Sequence, residues 1–199
     1  MLWNSVYLDC FNPDDVYLLL LIREACSKID YSLDLGKMPT HLGRTGCTRA
    51  SWCHLLTRSI QAGLRVRQLK VNVVDGLVLY VIPEPGSRPS EGRISCQIGR
   101  MPHSWLETEH DAIIDVCPMA SVGGPIMYYK KAHGDEEKAW EICSQMYQPD
   151  ASVIEGILEA EGYKTAYAAL APAFEEVIGS VRRKDLERHY AGISALASG

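Results

Sequence analysis

Positive charge is in short supply in this chain. Against 25 Asp and Glu stand 20 Lys and Arg, a net charge of −5, so the phosphate attraction that drives nucleic-acid binding has no support and no nucleic-acid partner is expected. Long apolar runs are also lacking. The strongest, Leu18-Leu19-Leu20-Leu21-Ile22, is far too short to span a bilayer, so no membrane association is expected. Met1-Leu2-Trp3-Asn4 has no basic residue and Asp9 follows soon after, which does not read as a secretory leader. The seven cysteines include no CxxC pair and no zinc-type spacing, and Cys53, His54 and His41 find no fourth ligand at a recognised interval. Metal: none is the expectation. An odd cysteine count suits free thiols in a reducing compartment, with cytoplasm the expected location. No repeat or low-complexity tract is present.

What is there suits one globular domain over 1–199, with 47% hydrophobic and 23% charged residues. A chain near this length buries roughly 70% of its unfolded surface. Asn12 as cap, Pro13 at the first helical position and Asp14-Asp15 in the first turn predict a helix from about Asn12 to Ser27. Its Val16–Ile22 run is apolar nearly all round, so it should be buried. A second helix is expected from Thr45 or Gly46 to about Ala62, ended by Gly63, with Cys53, Leu56 and Ile60 pointing inward. Leu64–Val74 and Leu77–Ile82 are strand candidates around Asp75-Gly76, a hairpin turn signal. Residues 83 to 92 have loop composition, and Arg93–Ile98 is a further short strand candidate. Beyond Gly124-Pro125 the pattern is helical: Glu136–Tyr147, Ala151–Ala160 after an Asp150 cap, Thr165–Ala171, and, past Pro172, Ala173–His189.

Within this frame Cys47, His103 and Asp115 stand in an order that suits a thiol nucleophile, its base and the carboxylate that orients the base. Cys47 falls in the first turn of the expected second helix, where unpaired N–H groups and the helix dipole favour thiolate over thiol. Those N–H groups can also contribute to an oxyanion hole. His54 is the poorer partner for Cys47, seven residues along the same helix and about 10 Å away. His103 and Asp115 lie on strand-like runs either side of a polar turn. A three-residue loop, Thr108-Glu109-His110, would set them directly opposite one another, Cβ atoms roughly 4.5–5.5 Å apart on one face. A two-residue loop would put them on opposite faces. Cys96 is a rival nucleophile without a helix start to activate it, and Cys117 falls on the His103/Asp115 face.

These residues resemble the transglutaminase-like (papain-like) cysteine hydrolase superfamily. The resemblance runs through Gly46-Cys47, then Leu56-Thr57-Arg58-Ser59-Ile60-Gln61-Ala62-Gly63-Leu64-Arg65-Val66-Arg67, then His103-Ser104-Trp105 and Ile113-Ile114-Asp115. It spans residues 43–118, the expected catalytic core, with 134–199 a helical extension. It implies an α+β fold, a nucleophile helix packed on an antiparallel sheet, with Cys47 as nucleophile, His103 as base and Asp115 as orienter. Gly46, Trp105 and Cys117 would line the substrate. Two departures stand out: no Gln precedes Cys47 to complete an oxyanion hole, leaving His41 and Tyr31 as substitutes, and Val116-Cys117-Pro118 follows the Asp.

The implied reaction is attack of a cysteine on a peptide, isopeptide or side-chain amide carbonyl through a thioester, with water or an amine as acceptor. A thiol protease or amidase and a transglutaminase-type acyltransferase share that first step. The alternative is a non-catalytic peptide- or protein-binding module on the same fold. No cofactor is implied; the expected partner is a peptide or protein substrate, and the C-terminal helices offer a surface for a homodimer.

Overall fold

The computed structural model describes residues 12–29, 53–83, 96–117, 125–129, 145–159 and 161–186. Helix α1 (Pro13–Lys28) starts as its sequence dictates: Asn12 is extended and its side chain accepts a 2.9 Å hydrogen bond from the Asp14 N–H. Leu18, Leu19, Leu21 and Ile22 are buried along it, as their all-round apolar pattern requires.

Helix α2 (Cys53–Val66) runs past Gly63, where the sequence suggested its end. Gly63 instead permits close packing: a Cβ there would lie 2.7 Å from the Ile178 Cδ1 and 2.8 Å from the Phe174 carbonyl oxygen. The stop comes at Gln68, which takes a left-handed conformation (φ 59°). Gln68 N–H donates to the Arg65 carbonyl at 2.9 Å and Leu69 N–H to the Leu64 carbonyl at 3.1 Å, a Schellman arrangement without glycine.

Five strands form an antiparallel sheet in the order β4-β3-β2-β1-β5. They are β1 (Asn72–Pro83), β2 (Cys96–Glu107), β3 (Ala112–Asp115), β4 (Ile126–Tyr129) and β5 (Gln145–Pro149). Asp75-Gly76 does not turn the chain; both lie within β1, opposite Ser104 and His103 of β2. Continuous pairing from Asn72↔Glu107 to Pro83↔Cys96 outweighs the local turn preference. The Leu64–Val66 segment belongs to α2, not to a strand. Of the loop expected at 83–92, all but Pro83 falls outside the described residues.

The β2–β3 hairpin is closed by Thr108 N–H donating to the Ala112 carbonyl at 2.9 Å, with Asp111 at φ 61°. Glu109, His110 and Asp111 form its loop. Its length is the odd one expected, but the register is displaced: Leu106 pairs with Ile114 and Glu107 with Ile113. His103 and Asp115 are therefore diagonal neighbours rather than directly opposed, still on one face.

The C-terminal part is not all helix. The end of the expected Glu136–Tyr147 helix is replaced by β5, which pairs with β1 from Gly76↔Pro149 to Tyr80↔Gln145. Asp150 then caps a 3-10 turn (Ala151–Ile154), its side chain accepting from the Ser152 N–H at 3.2 Å. Helix α3 (Glu155–Glu159) is short, and α4 (Glu161–Ser180) contains Pro172 in its interior. Pro172 has no N–H for the carbonyl four residues back, yet burial of Leu170, Phe174 and Ile178 carries the helix across it.

The helices cover one face of the sheet. Leu19, Ile22, Leu56, Ile60, Leu64, Leu106, Ile114, Phe174 and Ile178 share that core. On the other face Trp105, Ile113 and Ile126 form a smaller cluster with Val74 and Tyr147. The architecture is α+β, an antiparallel sheet with helices packed on it.

Candidate active site

His103 lies deep in β2 and is fully buried. Its Nε2 is 2.9 Å from the Asp115 Oδ2, across the register gap where β2 and β3 cease to pair. Asp115 is buried too, and its carboxylate is held by further donors. The Tyr147 hydroxyl from β5 donates to Oδ2, and the Cys117 N–H donates to Oδ1 at 2.8 Å. The acceptor-only carboxylate thus fixes His103 with its proton on Nε2.

Aromatic rings hold the imidazole in place. Trp105 stacks with His103 at a centroid separation of 6.4 Å, and Tyr147 is tilted against it at 6.0 Å. Trp105 and Tyr147 meet edge to face at 5.0 Å. Trp105 is fully buried with its Nε1 donating to Glu107, so it bounds the imidazole rather than opening onto solvent. Cys117 is likewise buried, and its backbone serves Asp115.

The described thiol whose charge is linked to that of His103 is Cys53, at the start of α2, with no hydrogen bond of standard geometry from it to the His103 Nδ1. Burial pushes the Cys53 thiol up, but charge and hydrogen bonding from His103, then from His54, bring it down to about 6. For His103, burial opposes protonation, while the Asp115 carboxylate and then the Cys53 thiolate raise it well above its ordinary value. Nδ1 of His103 has no hydrogen-bond partner of standard geometry, so it is the ring nitrogen available to a thiol proton. Opposite shifts on a buried Cys and His favour thiolate and imidazolium together.

Cys47 and Gly46 lie outside the described residues, as do His41 and Tyr31. Sequence reasoning placed Cys53 in the apolar inward stripe of α2, which is where it sits, but assigned it only packing. The signal that could have raised it was its place one helical turn ahead of Leu56 and two ahead of Ile60, on the face turned to the sheet. Tyr147 was assigned to a helix, so its contact with Asp115 had no trace in the sequence pattern.

A second polar cluster adjoins the first. The His54 Nδ1 is 2.7 Å from the Ser104 hydroxyl, which donates to the Asp75 Oδ1 at 2.5 Å. Arg58 clamps Asp75 with two contacts, 3.0 and 2.5 Å. Thr57 donates to the Ser104 carbonyl at 3.1 Å, so α2 is stitched to β2 along this row.

Among the described residues there is no group of three or more His, Cys, Asp or Glu side chains placed to hold a metal ion. Among them, too, no helix is long and apolar enough to cross a membrane.

The fold and site define an α+β protein with a buried His103–Asp115 pair. No family model matches the chain, and no curated protein matches it. A crystal structure described only as a genomics target is similar over 83% of this chain and 79% of its own, at 12% identity and a TM-score of 0.47.

Proposed function

We propose that this protein is a cysteine-dependent hydrolase of peptide, isopeptide or side-chain amide bonds, with Cys53 as nucleophile, His103 as base and Asp115 as orienter. The observation that carries it is the buried, hydrogen-bonded His103–Asp115 pair, and a Cys53 thiol brought down to about 6 by the charge of His103 supports it. The order helix, then antiparallel strands bearing His and Asp, supports a papain-like or transglutaminase-like reading of the α+β fold. Cys53 thiolate attacks the acyl carbon, and the carbonyl electrons move onto oxygen. The tetrahedral species collapses to a thioester as His103 Nδ1 protonates the departing amine. Water, deprotonated by the same nitrogen, then releases the acid and restores the thiol. An amine in place of water gives acyl transfer by the same first step.

A non-catalytic module that binds peptide on the same scaffold is the second reading. Complete burial of both Cys53 and His103 favours it, since a substrate must reach the sulfur. The deciding experiment is reaction with a peptidyl electrophile, with mass spectrometry locating the modified cysteine, in wild type, Cys53→Ser, Cys47→Ser and His103→Gln. Modification at Cys53, lost in Cys53→Ser and slowed by orders of magnitude in His103→Gln, is the expected result. Modification at Cys47 that persists in Cys53→Ser would transfer the role to Cys47. No modification of either above the rate of an ordinary thiol would leave the binding module as the better reading.

A further inference from the structure

The Asp115 carboxylate takes more donors than orienting a histidine requires. His103 Nε2–H and the Tyr147 hydroxyl both donate to Oδ2, and the Cys117 N–H donates to Oδ1 at 2.8 Å. The Cys117 bond is local, made two residues along the chain. Tyr147 is different. It comes from the edge strand β5, with β1 and β2 between it and β3 in the sheet order. Its ring lies against both His103 and Trp105, which aims the hydroxyl at the carboxylate. His103 and Asp115 are fully buried, so bulk water does not compete for that oxygen.

Two hydrogens of like partial charge therefore converge on one atom. Each hydrogen bond to a carboxylate stabilises its charge and makes it less basic. A less basic Oδ2 draws less on the Nε2 hydrogen of His103, and the hydroxyl hydrogen beside it disfavours a positive ring. Both effects leave Nδ1 a weaker base than a His–Asp pair alone would make it, and the low dielectric of a buried site enlarges them.

We infer that Tyr147 is a positioning residue for the proposed reaction, which by sharing the Asp115 Oδ2 keeps His103 from holding its proton too firmly. This deepens the hydrolase reading and rests on His103 being its acid and base. Nδ1 must give a proton to the departing amine and then take one from water, which is served best by a midpoint near the working pH. Asp115 and the Cys53 thiolate are the charges that raise His103. Tyr147 is the neutral group facing the pair, and it opposes them. Once Cys53 is acylated its charge is gone, and Asp115 and Tyr147 are left to set how readily Nδ1 takes a proton.

The test titrates His103 in the full chain. Imidazole nitrogen-15 shifts are followed against pH in wild type and Tyr147→Phe, with His103→Gln assigning the resonance. A second arm replaces Tyr147 by 2-fluorotyrosine, whose more acidic hydroxyl is the stronger donor. The His103 midpoint should rise by about half a pH unit in Tyr147→Phe, on the scale of one neutral hydrogen bond, and fall with 2-fluorotyrosine. A packing role alone would not move the midpoint in opposite directions. If Tyr147→Phe fails to fold, the fluorotyrosine arm decides. A midpoint unmoved or lowered in Tyr147→Phe, or unmoved or raised with 2-fluorotyrosine, would overturn the inference. The titration involves no thiol reaction, so the two readings fail separately. Wild type labelled by a peptidyl electrophile no faster than an ordinary thiol would sink the hydrolase reading, whereas fast labelling with an unmoved His103 midpoint would sink the Tyr147 role alone.

Discussion

At the scale of residues, the opposed shifts of Cys53 and His103 make a pH prediction with a definite sign. Cys53 has a folded value, about 6, below its ordinary 9.0, so the stability it contributes is present at high pH and is lost as pH falls through about 6. His103 has a raised folded value, so its contribution is complete below the ordinary 6.5 and is lost as pH rises through that raised value. The thiolate–imidazolium pair is populated between the two. Thiol reactivity toward a peptidyl electrophile should climb with pH through about 6, and the rate of amide cleavage should fall again above the raised His103 value. A pH–rate profile checks both limbs; a reactivity limb near 9 would contradict the pairing. Cys53 is also why composition was a poor guide. A buried cysteine in an apolar stripe is ordinarily a small hydrophobe, and only the influence of His103 and His54 gives it another character.

At the scale of elements, the site depends on β5 being seated against β1. Tyr147 reaches Asp115 from β5, and β5 packs tightly over Gly76 of β1. A Cβ on Gly76 would lie 2.0 Å from the Gln148 carbonyl oxygen and 2.9 Å from the Asp150 nitrogen, both backbone atoms. Gly76→Ala should therefore displace β5 and withdraw the Tyr147 hydroxyl from Asp115. Leaving that buried carboxylate short of a donor costs about 1–3 kcal/mol. Denaturant unfolding should show that loss, and the Cys53 titration midpoint should move with it. Tyr147→Phe provides the comparison, since it removes the hydroxyl without moving the strand. If Gly76→Ala leaves both stability and midpoint at wild-type values, β5 does not support the site.

At the scale of the whole molecule, Arg67 ties the helices together just past the end of α2. Its guanidinium donates to the Ile178 carbonyl at 2.6 Å, the Gly179 carbonyl at 3.3 Å and the Val181 carbonyl, and to the Tyr17 hydroxyl at 3.0 Å. A cation at the C-terminal end of α4 meets its orphan carbonyls and the negative end of its dipole. Arg67→Met keeps much of the stem's packing and removes these bonds, so a loss of about 1.5–3 kcal/mol is expected by denaturant titration. Hydrogen exchange should quicken first at the end of α4. A second tether joins α1 to the β2–β3 hairpin, where the His110 Nδ1 lies 3.1 Å from the buried Asp15. That hydrogen bond raises His110, burial opposes it, and the Asp15, Asp14 and Glu109 charges add to the rise.

Local physics was enough for those parts whose determinants lie within a few residues of one another. The Asn12-Pro13 start of α1, the burial of its apolar run and the Asp150 cap are set by nearest-neighbour hydrogen bonds and periodicity. His103 and Asp115 could be paired because strand alternation preserves the face under any odd loop, even though the loop and register moved by one and two residues. Other outcomes needed the assembled molecule. Asp75-Gly76 reads as a turn, but Asp75 is drawn to Arg58 and Gly76 lets β5 approach, so both stay in a strand. Pro172 reads as a break, but burial on either side of it exceeds the cost of one lost helical bond. Gly63 reads as a stop, but it is the contact point of α2 with α4. The thiol was decided in the same way: helical spacing assigns a cysteine to a face, whereas the charges that act on it there come from residues far along the chain, His103 among them.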